Sequence, residues 1–145
     1  MLNLLREKQG HGIFEILKSE DNLISYETNS KRKVKCYKEG GKYKFIIDLK
    51  FTGEIVNNTL YENIKENPKL QKEFETDIKS KIKKDCENFI EKMQKEYKID
   101  MLNLGSLAAA KYGRHTGVDW NQVISDSDIE VNVTVKVDKN GRGNY

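Results

Sequence analysis

From Leu70 to Tyr97 the apolar residues Leu70, Phe74, Ile78, Ile82, Cys86, Ile90, Met93 and Tyr97 recur in steps of four, with one step of three. That is the period of an α-helix burying one stripe. Asn67-Pro68 opens it well. Asn suits the N-cap, and Pro suits the first helical position because its missing N–H has no helical partner there. A helix from Pro68 to Lys98 is on the order of 45 Å long at about 1.5 Å per residue. It is the largest element of the chain, and the rest must pack along it. Its other face mixes Lys and Glu, including Glu91 and Lys95 at i,i+4, which reads as a solvated face and not a cationic stripe.

The segments around this helix read as strands. Ile13 to Leu17 and Leu23 to Thr28 are separated by a Ser19-Glu20-Asp21-Asn22 turn, and Asn29-Ser30 breaks the pattern. Lys31 to Lys38 alternates charge with Val34 and Cys36 and reads as an edge strand, because inserted lysines discourage edge pairing. After the hairpin signal Glu39-Gly40-Gly41-Lys42, Tyr43, Phe45, Ile47, Leu49 and Phe51 point to one face. Lys44, Ile46, Asp48 and Lys50 point to the other. A bend at Thr52-Gly53 lets the chain continue through Glu54-Ile55-Val56. Beyond the long helix, Asp100 reads as the cap of a second helix, Met101 to Tyr112. Asp119 caps a short turn holding Trp120, Val123 and Ile124, and Ser125 to Asp128 is a turn. Ile129, Val131, Val133, Val135 and Val137 form a last strand, and Asp138 to Gly143 a frayed tail.

This order favours an α+β fold. We expect a largely antiparallel or mixed sheet of about four to five strands, with the long helix and a shorter second helix on one face. A chain of 145 residues suits one domain, 1–145. Residues 1–12 read as the remnant of a preceding helix, ended by a Gly10-His11-Gly12 turn. Bland roles are expected for three residues: Asp100 as a cap, Gly105 where helix and sheet come close, and Trp120 as an anchor to the core.

Charged residues make up 34% of the chain, yet the formal net charge is only +3, so composition predicts neither a nucleic-acid nor a membrane-surface partner. Cys36 and Cys86 form no metal-type spacing. They read as two free, mostly buried thiols, with a disulfide left open if the protein works outside the cytosol. No apolar run approaches the roughly 20 residues of a membrane span. Met1 to Leu5, followed at once by Arg6-Glu7-Lys8, is no secretory signal, so Met1 reads as a start within a longer protein.

Candidate chemistry is sparse. His11 and His115 have no Cys, Ser or acid at motif spacing. Asp126, Asp128 and Glu130 could hold a divalent cation, but EF-hand spacing is absent. Asp48-Leu49-Lys50 on a strand matches the (D/E)xK element of metal-dependent nucleases, which needs a second acid that only Glu27 or Asp21 offers. Lys31, Arg32, Lys33, Lys35 and Lys38 around Tyr37 could touch nucleic acid, without the stacking aromatics of a defined motif. Gly40-Gly41 and Gly141-x-Gly143 are not phosphate loops, since neither joins a strand to a helix N-terminus. No catalytic, cofactor-binding or metal-binding residue is assigned, and no cofactor is expected.

The distinctive part of the sequence is residues 94–137. Gln94-Lys95 is followed by Asp100-Met101-Leu102-Asn103-Leu104-Gly105, then Trp120, then Val131-Asn132-Val133-Thr134-Val135-Lys136-Val137 and a glycine-rich tail. In order and spacing this resembles the C-terminal domain of the Ger(x)C family of spore germination proteins, the C subunits of germinant receptors. Tyr43 to Val56 agrees more loosely. Arg114-His115-Thr116-Gly117 departs from the lysine- and proline-containing stretch of many members. The resemblance implies a larger lipoprotein tethered through an N-terminal lipidated cysteine to the outer surface of the spore inner membrane. Its implied partners are two integral membrane subunits, A and B, with no nucleic acid. It implies a part in nutrient-triggered germination, and it brings no catalytic residues.

Overall fold

The computed structural model describes residues 5–6, 9–19, 22–58, 66–113 and 117–137. Among these, four strands form one mixed sheet in the order β1 (Gln9–Ser19), β2 (Asn22–Glu39), β3 (Lys42–Asn58), β4 (Asp128–Val137). The first three are an antiparallel meander. The last lies parallel to β3, with Asn132 beside Asp48. A parallel neighbour demands a long crossover. Here it consists of α1 (Pro68–Lys92), a π-helical turn (Met93–Tyr97), α2 (Leu104–Tyr112) and α3 (Trp120–Ser125). The α+β class and the mixed sheet expected from sequence are what the chain adopts.

The β2–β3 hairpin turns through Gly40 (φ 56°) and Gly41 (φ 82°), the two left-handed positions of a type I′ turn. Beyond it, Phe45, Ile47, Leu49 and Phe51 are buried with exposures of 2% or less. The α1 stripe meets them in the same core: Phe74, Ile78, Ile82, Cys86, Ile90 and Met93 are all exposed by 5% or less. Burying a large apolar side chain contributes roughly 1.5–3 kcal/mol, so the stripe supplies most of what holds this helix. Asn67 caps it, its Oδ1 accepting from Lys69 N at 3.1 Å and Leu70 N at 3.4 Å. The exposed Lys81–Asp85 and Glu91–Lys95 pairs add a few tenths of a kcal/mol each.

Several expectations need correction. Gly10-His11-Gly12 is not a turn but part of β1, lying opposite Ser30, Asn29 and Thr28. Asn29-Ser30 does not break β2, which runs unbroken for 18 residues. Both residues have a partner strand on each side, and Ser30 is buried, so the ladder overrides their weak strand preference. The second and third expected strands are therefore one. The expected edge from Lys31 to Lys38 holds only in part. β1 pairs with β2 as far as Lys31, and beyond it β3 is the one described neighbour. There the Cys36 carbonyl accepts from Lys111 Nζ at 2.6 Å and Tyr112 Oη at 3.2 Å. The bend expected at Thr52-Gly53 is a close approach: a Cβ on Gly53 would lie 1.9 Å from the Glu27 carbonyl oxygen.

Tyr26, on β2, reaches over β3 to donate its hydroxyl to the Lys136 carbonyl of β4 at 2.6 Å, its ring edge-on to Phe74. Arg32 Nη1 donates to the carbonyl of buried Leu5, fastening the helical residues Leu5–Arg6 to the sheet. Neither cysteine is in a disulfide, and both are buried. Among the described residues no helix is long and apolar enough to cross a membrane. Residues 1–4, Glu20, Asp21, His115 and the tail from Asp138 lie outside the described residues.

Candidate interaction surface at the helical corner

The residues that carry the family resemblance converge where the long helix ends. At Met93 the helix widens into a π-turn, closed by Lys98 N donating to Met93 O at 2.8 Å, and Lys98 itself is left-handed (φ 51°). Such turns recur at functional sites and rotate the following side chains. Tyr97, placed on the buried stripe by the four-residue period, is instead 56% exposed, and Ile99 beside it is 54% exposed.

Gln94, on the first turn of the widened helix, donates from Nε2 to the Ile124 carbonyl at 2.9 Å and to the Ser127 carbonyl at 2.7 Å. It thus holds the residue directly before β4. Asp100 caps a helix as expected, but that helix begins at Leu104, not at Met101. Met101-Leu102 form a turn, and Asn103 is left-handed (φ 56°). The carboxylate still satisfies two open donors, Leu104 N at 2.9 Å and Gly105 N at 2.8 Å, as a helix start requires. The Asp100 N–H donates to Asn121 Oδ1 at 2.9 Å, tying the cap to α3.

Gly105 was expected to bring helix and sheet together. Its close neighbour is instead Trp120 on α3, whose Cβ and Cγ would stand 2.8 Å from a Cβ added there. Trp120 is anchored to the core as expected. Its ring meets Tyr43 edge-on at 5.6 Å, and Tyr43 also meets Tyr112 at 5.9 Å. Asp119 caps α3 through Gln122 N at 3.3 Å. Between α3 and the β2–β3 hairpin lies an open groove of about 500 Å³, lined by Tyr43, Val123, Asp126 and Ser127 among others. The result is a rigid corner of three short elements, with Tyr97 and Ile99 on its outside.

The other candidates are dispersed. Asp48 accepts from Asn132 Nδ2 at 3.0 Å and has Lys35 at 3.8 Å. Lys33 stands opposite it on β2, whereas Glu27 lies opposite Glu54, six residues away along β3. The second acid that a nuclease site needs is therefore not brought to Asp48 by Glu27, and Asp21 lies outside the described residues. Asp128 and Glu130 share Lys44, at 4.0 and 3.7 Å, while Asp126 accepts from Gln122. Among the described residues no three His, Cys, Asp or Glu side chains gather as a metal site would require.

His11, which has no acid at motif spacing in the sequence, gains partners across the strand. Nδ1 lies 3.0 Å from Asn29 Oδ1 and Nε2 3.0 Å from Glu27 Oε1. Its pKa is raised above 6.5, chiefly by the Asn29 hydrogen bond, with desolvation opposing and Glu27 adding to the rise. The signal was present only in the register, which sets His11 opposite Asn29. The lysine ridge is also split. Lys31, Lys33 and Lys35 share one face, while Arg32 points to the other and Lys38 sits over the Tyr43 ring.

Residues 1–141 match the family described as Spore germination B3/GerAC like, C-terminal. The fold is similar to that in the crystal structure of the GerBC protein, with a TM-score of 0.71 and 21% identity. The likeness covers 88% of this chain and 40% of that one, so the chain spans less than half the length of GerBC. No curated protein sequence matches the chain.

Proposed function

The chain belongs to the spore germination B3/GerAC-like C-terminal family, and from that membership we propose that it is a non-enzymatic assembly domain of a germinant receptor C subunit. Residues 1–145 form one domain of a longer lipoprotein. A lipidated cysteine upstream tethers that protein to the outer surface of the spore inner membrane, where it works with the integral membrane A and B subunits in nutrient-triggered germination. It needs no cofactor or metal.

The observation that carries this reading is the use made of the recognisable residues. Gln94, Asp100, Gly105 and Trp120 are all engaged in holding one corner of the fold. A set of side chains committed to internal fastening, beside exposed Tyr97 and Ile99, suits a docking element better than a catalytic one. The test is in-frame deletion of this domain from the C subunit of a spore former. The expected result is loss of nutrient-triggered germination together with loss of the assembled receptor. Normal germination with a normally assembled receptor would refute the reading.

A further inference from the structure

The face of the sheet turned away from α1 sorts its charges by row. Register places His11, Asn29, Thr52 and Lys136 in one cross-strand row, and Gln9, Lys31, Lys50 and Thr134 in the next. The strands alternate cleanly: Lys31, Lys50, Thr134 and Lys136 are exposed, while Ser30, Phe51, Val135 and Val137 are buried. These two rows contain no Asp or Glu. Lys33 follows in the third row, opposite Asp48, whose carboxylate is shared with Lys35 and Asn132.

Lys31 and Lys50 face each other directly, an arrangement that costs stability by like-charge repulsion. Among the described residues, Lys31, Lys33, Lys50 and Lys136 form no ion pair with a carboxylate, whereas Lys35 and Lys44 on the same face do. Strands stand about 4.8 Å apart and same-face rows about 7 Å. The four ammonium groups therefore occupy a band across the sheet, interspersed with Asn29, Thr52 and Thr134, and bounded by Glu27 and Glu54 in the row beyond His11 and by Asp48 in the row of Lys33.

We infer that this band seats the domain on an anionic phospholipid surface, with Lys31, Lys33, Lys50 and Lys136 against the headgroup phosphates. Charge complementarity selects an anionic occupant. The planar band selects a planar one: its two rows hold no aromatic side chain on which nucleic-acid bases could stack. The inference deepens the membrane-side location proposed above.

The test uses the 145-residue chain and vesicles of phosphatidylcholine with about 30% phosphatidylglycerol. Each lysine near such a surface contributes about a fivefold gain in partition. Binding is therefore expected at 50 mM salt, lost at 500 mM, and absent on pure phosphatidylcholine. K31E/K50E is expected to weaken it by at least about twentyfold, and K33E/K136E, as an independent variant, similarly. K79E/K84E, on the exposed face of α1, is expected to change it less than about threefold, all variants keeping the wild-type melting profile. Failure to bind the anionic vesicles overturns the inference, as does equal loss in the α1 variant or tighter binding to duplex DNA. These outcomes leave the germination phenotype of the domain deletion untouched, so the two readings fail separately.

Discussion

Gly105 and Trp120 meet without clearance: a methyl group at residue 105 would lie 2.8 Å from both Cβ and Cγ of the indole side chain. Trp120 cannot yield by turning its ring, because the Cβ is fixed by the α3 backbone. Gly105→Ala should therefore destabilise the chain by about 1–3 kcal/mol. Urea unfolding followed by the fluorescence of Trp120, the one tryptophan in the sequence, reads this directly. An unchanged midpoint would show that α2 and α3 separate freely.

Gln94 donates two hydrogen bonds to carbonyls and accepts neither of them. Gln94→Glu should accordingly cost more than Gln94→Met, because it sets a carboxylate against two carbonyl oxygens. About 1–3 kcal/mol is expected for the Glu variant, measured by the same unfolding curves. The opposite order would mean that packing, and not polarity, fixes the start of β4.

Asp100→Ala removes the acceptor for Leu104 N and Gly105 N and should cost about 1 kcal/mol, the usual value for a lost cap. Asp100→Asn, which keeps one acceptor oxygen, should cost less. Amide exchange at Leu104 and Gly105 should quicken more in the Ala variant than in the Asn variant.

Much of this corner was legible as chemistry but not as geometry. Asp100 was readable as a cap, and Trp120 as an anchor. A shift of three residues in the helix start was not, since it depends on left-handed Asn103. The exposure of Tyr97 was hidden for a similar reason, because a four-residue period cannot announce a π-turn. The alternation of β3 and β4 was legible because each has one buried face. The continuity of β2 through Asn29-Ser30 was not, because neighbouring strands impose it. The lysine band is the clearest case. Net charge is near neutral, and only the register gathers Lys31, Lys50 and Lys136 into adjacent rows.

His11 offers a pH readout. Its pKa is raised above 6.5 in the folded chain, so its contribution is fully present below the unfolded value and fades as pH rises through the folded one. Glu27→Gln should lower the His11 pKa in an NMR titration. The stability gap between wild type and variant should be wider at pH 5.5 than at pH 8.5. A gap independent of pH would remove His11 from the β1–β2 brace.

The Cys86 thiol is pushed up to about 11, mainly by burial, with Asp85 adding to the rise. Burial also raises Cys36, against the opposing charge of Lys111. Since the thiolate is the nucleophile, neither should react quickly with a disulfide reagent at pH 8 in the native state, and both should react in urea. Fast native labelling of either would contradict its burial.

The parallel seating of β4 on β3 also sets an order of events. Asp48 and Asn132 are neighbours separated by 84 positions in the chain, so their pairing closes a loop that contains α1, α2 and α3. Whether the chain leaves a ribosome or is threaded across a membrane, β1, β2 and β3 become available before β4 does. During that interval one flank of β3 and the face holding Phe45, Ile47, Leu49 and Phe51 await cover. Non-local pairings of this kind form late and slowly. A chain ending before Val131 would therefore leave one flank of β3 without its partner strand, an uncovered edge that invites pairing with other chains.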